Sequence, residues 1–251
     1  MTQGKRGGGT GKGGARTGKT GGHGASPSIT GARGLHVRVK TARGRKVGSQ
    51  RWLQRQLNDP YVAKAKADGF RSRAAYKLIE LDDKFHVLAR GKKVVDLGAA
   101  PGGWTQIAVD RVKAGTSGGG AVVGIDINEW APVPNATCIV LDFMDPSAPD
   151  KLKAALGGKA DVVLSDMAAP ATGHGATDHI RIMALAETAW MFAEEVLAPG
   201  GAFICKVFQG GTEGELLKQI KARCGTVKHA KPPASRKESA EVYVVGLDFK
   251  G

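Results

Sequence analysis

The sequence predicts an α/β fold: a single doubly wound, Rossmann-like domain whose sheet is mostly parallel, with helices on both faces. Three observations carry this. From residue 93 onward, short apolar runs alternate with stretches whose apolar residues recur at helical spacing, the pattern of consecutive strand–helix–strand units. A glycine-rich turn follows the first run, where a strand would pass into a helix. Polar residues stand at the ends of five successive runs, and ligands in doubly wound sheets bind at the carboxyl ends of the strands.

The elements follow in order. Residues 49–57 and 61–67 read as short helices, and 70–85 (FRSRAAYKLIELDDKF) as a longer one. Residues 93–97 form the first strand, and the glycine turn leads into a helix over 104–112. Residues 121–126 and 137–141 are the second and third strands, 149–156 a helix and 161–165 the fourth strand. The stretch 178–197 is helical through Ile182, Leu185, Ala189, Phe192 and Val196. Then come a strand over 202–207, a helix over 213–223 and two closing strands, 226–229 and 241–247. Connections are short apart from the turn near Gly118 and the loop after Asp166. One domain over 49–251 accounts for all of this.

Composition narrows the function classes. The 251 residues contain 37 Lys and Arg against 23 Asp and Glu, a net charge of +14. Residues 1–48 hold 11 of the basic residues, no acid and 15 of the 37 glycines. Such a segment has almost nothing to pack and is expected to be a disordered, basic, glycine-rich tail attracted to polyanions such as RNA. Three cysteines (Cys138, Cys205, Cys224) without a C-x-x-C argue against a disulfide framework or a zinc cluster, and suit a reducing compartment. His174 and His179 have no zinc-site spacing to a third ligand, so no metal is expected. No apolar run approaches the roughly 18 residues of a membrane span, and no hydrophobic leader opens the chain. A cytoplasmic protein with no membrane partner is expected. Residues 13–20 (GGARTGKT) satisfy the P-loop pattern, but no apolar strand precedes them and no amphipathic helix follows, so they are read as a chance match.

The strand ends collect the candidate chemistry. The first delivers DLGAAPGGW (96–104), the second Asp126, the third Asp142, the fourth Ser165-Asp166-Met167 and the fifth Lys206. The glycine turn departs from G-x-G-x-x-G, and Pro101 removes an amide that a pyrophosphate would use. A nicotinamide enzyme would also place its acid nearer 20 residues on, whereas Asp126 lies 28 after Gly98. A nucleoside cofactor without phosphates fits better, and S-adenosylmethionine is such a cofactor, with Asp126 placed to bind ribose hydroxyls.

RWLQRQLNDPYV (51–62), SRAAYKL (72–78), VVDLGAAPGGW (94–104), VLSDMAAP (163–170), LAPGGAFICKVFQGG (197–211) and EVYVV (241–245) closely resemble the FtsJ-like ribosomal RNA 2′-O-methyltransferases, with the motifs in family order. The resemblance runs from about Arg51 to Phe249 and excludes the tail. It implies an S-adenosylmethionine-dependent methyltransferase sheet with its last strand antiparallel. The implied substrate is a uridine ribose in 23S ribosomal RNA within the large ribosomal subunit, methylated by a monomer during ribosomal RNA processing. Carried over residue by residue, it places a catalytic tetrad on Lys77, Asp166, Lys206 and Glu241, and cofactor contacts on Gly102, Trp104, Asp126, Asp142 and Asp166.

Chemistry gives the tetrad an independent rationale. A ribose hydroxyl is a weak nucleophile at neutral pH and needs a positioned proton acceptor. Lys206 is the candidate base, Lys77 supplies neighbouring positive charge, and Asp166 and Glu241 orient the amines. Plainer readings exist: Lys77 as a surface partner of Glu80, Lys206 as a strand-exit lysine, Glu241 as an edge charge, any single strand-end acid as a helix cap or turn residue, and Trp104 as helix packing. A transfer RNA 2′-O-methyltransferase and a non-catalytic RNA-binding assembly factor are the alternatives; the paired lysines and carboxylates argue against the latter.

Overall fold

The computed structural model describes residues 1, 47–170, 172–209 and 213–251. The basic segment, apart from Met1 and its last two residues, lies outside the described residues, as does the match at 13–20. Helices α1 (Val47–Leu57), α2 (Pro60–Ala67) and α3 (Ala75–Phe85) precede the sheet. There follow β1 (Lys93–Leu97), α4 (Gly103–Val112), β2 (Ala121–Asp126), β3 (Thr137–Val140), α5 (Ala148–Leu156) and β4 (Ala160–Ser165). The chain ends with α6 (Gly175–Val196), β5 (Leu197–Phe208), α7 (Glu213–Arg223), β6 (Cys224–Ala230) and β7 (Glu241–Phe249).

The seven strands lie in the order β3-β2-β1-β4-β5-β7-β6. β1 to β5 pair in parallel, whereas β7 runs antiparallel to both β5 and β6. The last strand is thus reversed, as expected. Strand order switches direction between β1 and β4, opening a crevice at their carboxyl ends.

Alternation along each strand decides which residues meet. Val95, Leu97, Val123, Val163, Phe203, Cys205 and Val244 face α5, α6 and α7, with Trp190 of α6 fully buried among them. Their neighbours Val94, Val122, Leu164, Ile204, Tyr243 and Val245 face α3 and α4. Asp96, Lys206 and Glu241 share the parity of this second set, and Asp166 continues that of Leu164. A period of two therefore places all four polar residues on the α3/α4 side, and a one-residue slip would turn any of them to the other face. Pairing of Lys206 with Tyr243 and of Phe208 with Glu241 fixes the β5–β7 register.

Three expected boundaries differ by three residues or more. The helix expected over 70–85 begins at Ala75, because the preceding backbone bonds elsewhere: Phe70 N–H donates to Ala65 O (2.8 Å) and Arg71 N–H to Gln106 Oε1 (2.9 Å). β5 begins at Leu197 rather than 202, since Leu197 pairs with Ala160 across an irregularity between Ala160 and Val162. α6 begins at Gly175 rather than 178. Asp178 sits inside its first turn and reaches back to accept from Thr172 N–H (2.7 Å) and Gly173 N–H (3.3 Å).

Candidate active site

The turn after β1 is held tightly against its neighbours. Gly98 and Ala99 N–H both donate to Ile125 O of β2, at 2.9 and 3.1 Å. Gly98 has φ +72° and Gly102 φ +103°, the left-handed region that favours glycine. A Cβ on Gly98 would lie 2.4 Å from Met167 Cγ, and one on Gly102 2.8 Å from Val133 Cγ2. Arg71 clasps this turn to the loop after β2: its guanidinium donates to Pro101 O (3.2 Å), Pro132 O (2.6 Å) and Ala131 O.

Beyond the turn lies a cavity of about 700 Å³ at the ends of β1, β2 and β4 and against α6. Asp126, Asp142 and Asp166 all line it, with Arg181 from α6 among its walls. Asp126 takes Ala100 N–H on one oxygen (3.0 Å) and Asn128 N–H and Nδ2 on the other (2.8 and 2.9 Å), so one carboxylate orders both bordering loops. Asp142 accepts from Met144 N–H at 2.9 Å. Apolar walls come from Ile127, Phe143, Met144 and Met167. Three carboxylates against one guanidinium make a poor seat for phosphates and a good one for a ligand carrying hydroxyls and positive charge. Beneath the turn, Asp96 is 1% exposed and accepts from Thr105 Oγ1 at 2.6 Å. Burial pushes its carboxyl up to about 7, with Asp166 and Asp126 adding to the shift against the Thr105 hydrogen bond.

The second cluster abuts the cavity at Asp166. Oδ1 of Asp166 lies 3.2 Å from Lys206 Nζ and 3.5 Å from Lys77 Nζ, and accepts a 2.6 Å hydrogen bond from the Tyr243 hydroxyl. Lys206 Nζ also donates to Asp166 O at 2.9 Å. Lys77 Nζ bonds Glu241 at 2.8 Å, and Ser235 Oγ donates to Glu241 Oε1 at 2.7 Å. Burial alone would raise the Asp166 carboxyl, but the two ammonium groups and the Tyr243 hydrogen bond outweigh it and hold it below the usual range. Burial and the neighbouring carboxylates push the Tyr243 phenol well above its ordinary value, so it stays a donor. Burial also raises the Cys205 thiol to about 12, leaving it an inert core residue.

The structure brings Lys77, Asp166, Lys206 and Glu241 together and sets Asp126, Asp142 and Asp166 on the cavity wall. Gly102 and Trp104 are not part of that wall among the described residues. Gly102 packs against Arg71 and Val133. Trp104 is 3% exposed, donates Nε1–H to Ala74 O (2.7 Å) and lies with its ring 5.7 Å from that of Tyr243. Lys77 does not pair with Glu80, which instead accepts from Tyr61 Oη and Ala234 N–H. Tyr243 was not anticipated, although it stands two residues after Glu241 on one strand face. Ser235 and Arg71 carried no sequence signal, since both lie outside regular elements. Among the described residues, no group of three His, Cys, Asp or Glu is arranged to hold a metal, and no helix is long and apolar enough to cross a membrane.

A Rossmann-like methyltransferase is the class of enzyme defined by a doubly wound sheet with one reversed strand and by a carboxylate-lined crevice abutting a lysine–carboxylate cluster. The chain belongs to the FtsJ-like methyltransferase family, which it matches over residues 70–249. It is 65% identical over 207 residues to "Ribosomal RNA large subunit methyltransferase E" of Rhodospirillum rubrum, covering 82% of this chain and 79% of that one. The protein of the same name from Paramagnetospirillum magneticum is 64% identical over 208 residues, 82% of this chain and 85% of the relative. Among solved structures, a ribosomal RNA methyltransferase from Plasmodium falciparum superposes with a TM-score of 0.65 at 34% identity, covering 72% of this chain and all of that one.

Proposed function

We propose that this protein is a cytoplasmic, monomeric enzyme that methylates the ribose 2′-hydroxyl of a uridine in 23S ribosomal RNA of the large ribosomal subunit, using S-adenosylmethionine. The observation that carries the reading is the position of Lys206: buried, 3.2 Å from Asp166 Oδ1, where the carboxylate-lined cavity meets the Lys77–Glu241 pair. The cavity residues fit the cofactor. Asp126 would hold ribose hydroxyls, Ile127, Phe143 and Met144 would flank the adenine, and the carboxylate-rich wall suits a positively charged, phosphate-free ligand. When bound, the cofactor supplies a methyl group already activated on a sulfonium.

What remains for the chain is to align the 2′-hydroxyl and receive one proton. Lys206 Nζ would accept that proton from the 2′-hydroxyl. Lys77 lies on Asp166 as well as Glu241, so Lys206 can be uncharged without leaving Asp166 unpaired in a low-dielectric site. Glu241 and Ser235 hold Lys77 in place, and Tyr243 fixes the rotamer of Asp166.

Mapping ribose methylation across total RNA with and without this protein tests the reading. One uridine ribose in large-subunit RNA should lose its methyl group. A loss confined to transfer RNA would move the substrate to that class, and no loss at all would favour a non-catalytic assembly role.

A further inference from the structure

A second, smaller cavity of about 190 Å³ opens against the Lys77–Glu241 pair. Its walls include Lys77 and Glu241 of the tetrad, together with Arg73, Arg236 and Ser239. Arg73 comes from the segment before α3 and Arg236 from the connection between β6 and β7. A single carboxylate holds both arginines. Asp59 Oδ2 lies 2.6 Å from Arg73 and 3.2 Å from Arg236, while its Oδ1 caps α2 by accepting from Tyr61 N–H at 3.0 Å. Asp59 is 8% exposed in its side chain and Arg236 29%. Arg73 is braced further by donating to Ala234 O, and its Nε–H is buried without a partner among the described residues.

Two guanidinium groups thus share one carboxylate at the rim of a polar cavity, on side chains already held in position. Guanidinium groups with free N–H edges are suited to phosphate oxygens. In RNA the 2′-hydroxyl and the 3′-phosphate sit on adjacent ribose carbons, so a ribose presented to Lys206 brings its own phosphodiester close to the tetrad.

We propose that Arg236 and Arg73 form a subsite for the phosphodiester flanking the methylated ribose, with Asp59 as the buried counter-ion that keeps both guanidinium groups aimed while no RNA is bound. The subsite rests on the reading that RNA is the substrate. It makes Arg236 a binding and positioning residue rather than a catalytic one, and assigns Asp59 a modulating role of opposite sign.

The test uses large ribosomal subunits from cells lacking the protein as substrate. The full-length enzyme is compared with Arg236→Gln and Asp59→Asn, and the KM for subunits is measured across a salt series. Arg236→Gln should raise KM about 5–20-fold while changing kcat less, and should flatten the slope of log(kcat/KM) against log salt by about 0.7–0.9, the loss of one phosphate contact. A free mononucleotide bound in the same place would carry no such counterion slope. Asp59→Asn keeps an oxygen for the α2 cap and removes the counter-charge, so KM should fall and the slope steepen. Unchanged KM and slope in Arg236→Gln would overturn the subsite. So would a rise in KM with both variants, which would mark the ion pair as a structural brace. Wild-type enzyme that methylates no large-subunit RNA would overturn the substrate reading and the subsite together.

Discussion

The Tyr243 hydroxyl donates a 2.6 Å hydrogen bond to Oδ1 of Asp166, the same oxygen that both tetrad lysines approach. One carboxylate oxygen thus faces two amines and one hydroxyl, and the hydroxyl makes the shortest contact. Tyr243→Phe should lower kcat about 10–100-fold, since a hydrogen bond to a charged group is worth about 1.5–3 kcal/mol, with little change in cofactor affinity. The phenol also helps to hold the Asp166 carboxyl below its ordinary value. A group with a depressed folded pKa contributes stability above its unfolded pKa and loses it as pH falls through the folded one. Acid unfolding should therefore begin at higher pH in Tyr243→Phe than in wild type. Thermal melts across pH 2–6, with steady-state kinetics, check both outcomes.

Arg71 bridges the glycine turn to the loop after β2 through three carbonyl groups. Arg71→Ala should raise the KM for the methyl donor roughly 5–10-fold through loosened cavity walls, with kcat nearly unchanged. Arg71→Lys should not restore it, because a point-like ammonium lacks the fork that spans several acceptors. Restoration by lysine would show that charge alone matters there.

Asp96 gives the opposite pH signature to Asp166. Its folded carboxyl is raised to about 7, so between its unfolded value and pH 7 the folded state binds more protons and stability falls as pH rises. Asp96→Asn removes this dependence. Relative to wild type, the variant should gain about 2–3 kcal/mol on going from pH 5 to pH 8, at about 1.4 kcal/mol per pH unit up to the folded pKa. Urea unfolding of both proteins at the two pH values measures the difference directly.

Deleting residues 1–46 removes 11 positive charges and no negative ones, taking the net charge from +14 to +3 and leaving α1 intact. If this basic segment neutralises RNA phosphates, the slope of log K against log salt for RNA binding should become shallower by roughly 3–6 units. The target nucleotide should stay the same, because phosphate contacts position while base contacts specify. Overlapping salt lines for the two proteins would make the segment an inert extension.

The strands were legible because burial on both faces leaves unbroken apolar runs: β1, β2 and the helix α7 fall on the residues that periodicity indicates. Less legible were places where side chains override local pattern. Residues 70–74 have helical composition, yet Arg71 is committed to the glycine turn and Gln106, and the helix waits until Ala75. At the site, strand-end position singled out Asp126, Asp142, Asp166 and Lys206. Lys77 and Glu241 came from the family resemblance, because nothing local distinguishes a helical lysine that crosses to β7 from one that pairs with Glu80. Trp104 illustrates the limit of adjacency: it directly follows the glycines, but the helical turn carries its indole to the α3 side, where its N–H meets Ala74.

On the proposed mechanism Lys206 would accept the ribose proton and take no part in holding the methyl donor. Single-turnover methylation of large ribosomal subunits by Lys206→Ala, paired with calorimetric titration of S-adenosylmethionine into the same variant, separates the two roles. Methyl transfer should fall by at least about 100-fold, the lower range of general-base catalysis, while the cofactor dissociation constant stays within about twofold of wild type. A near wild-type single-turnover rate, or cofactor binding lost along with activity, would contradict that mechanism.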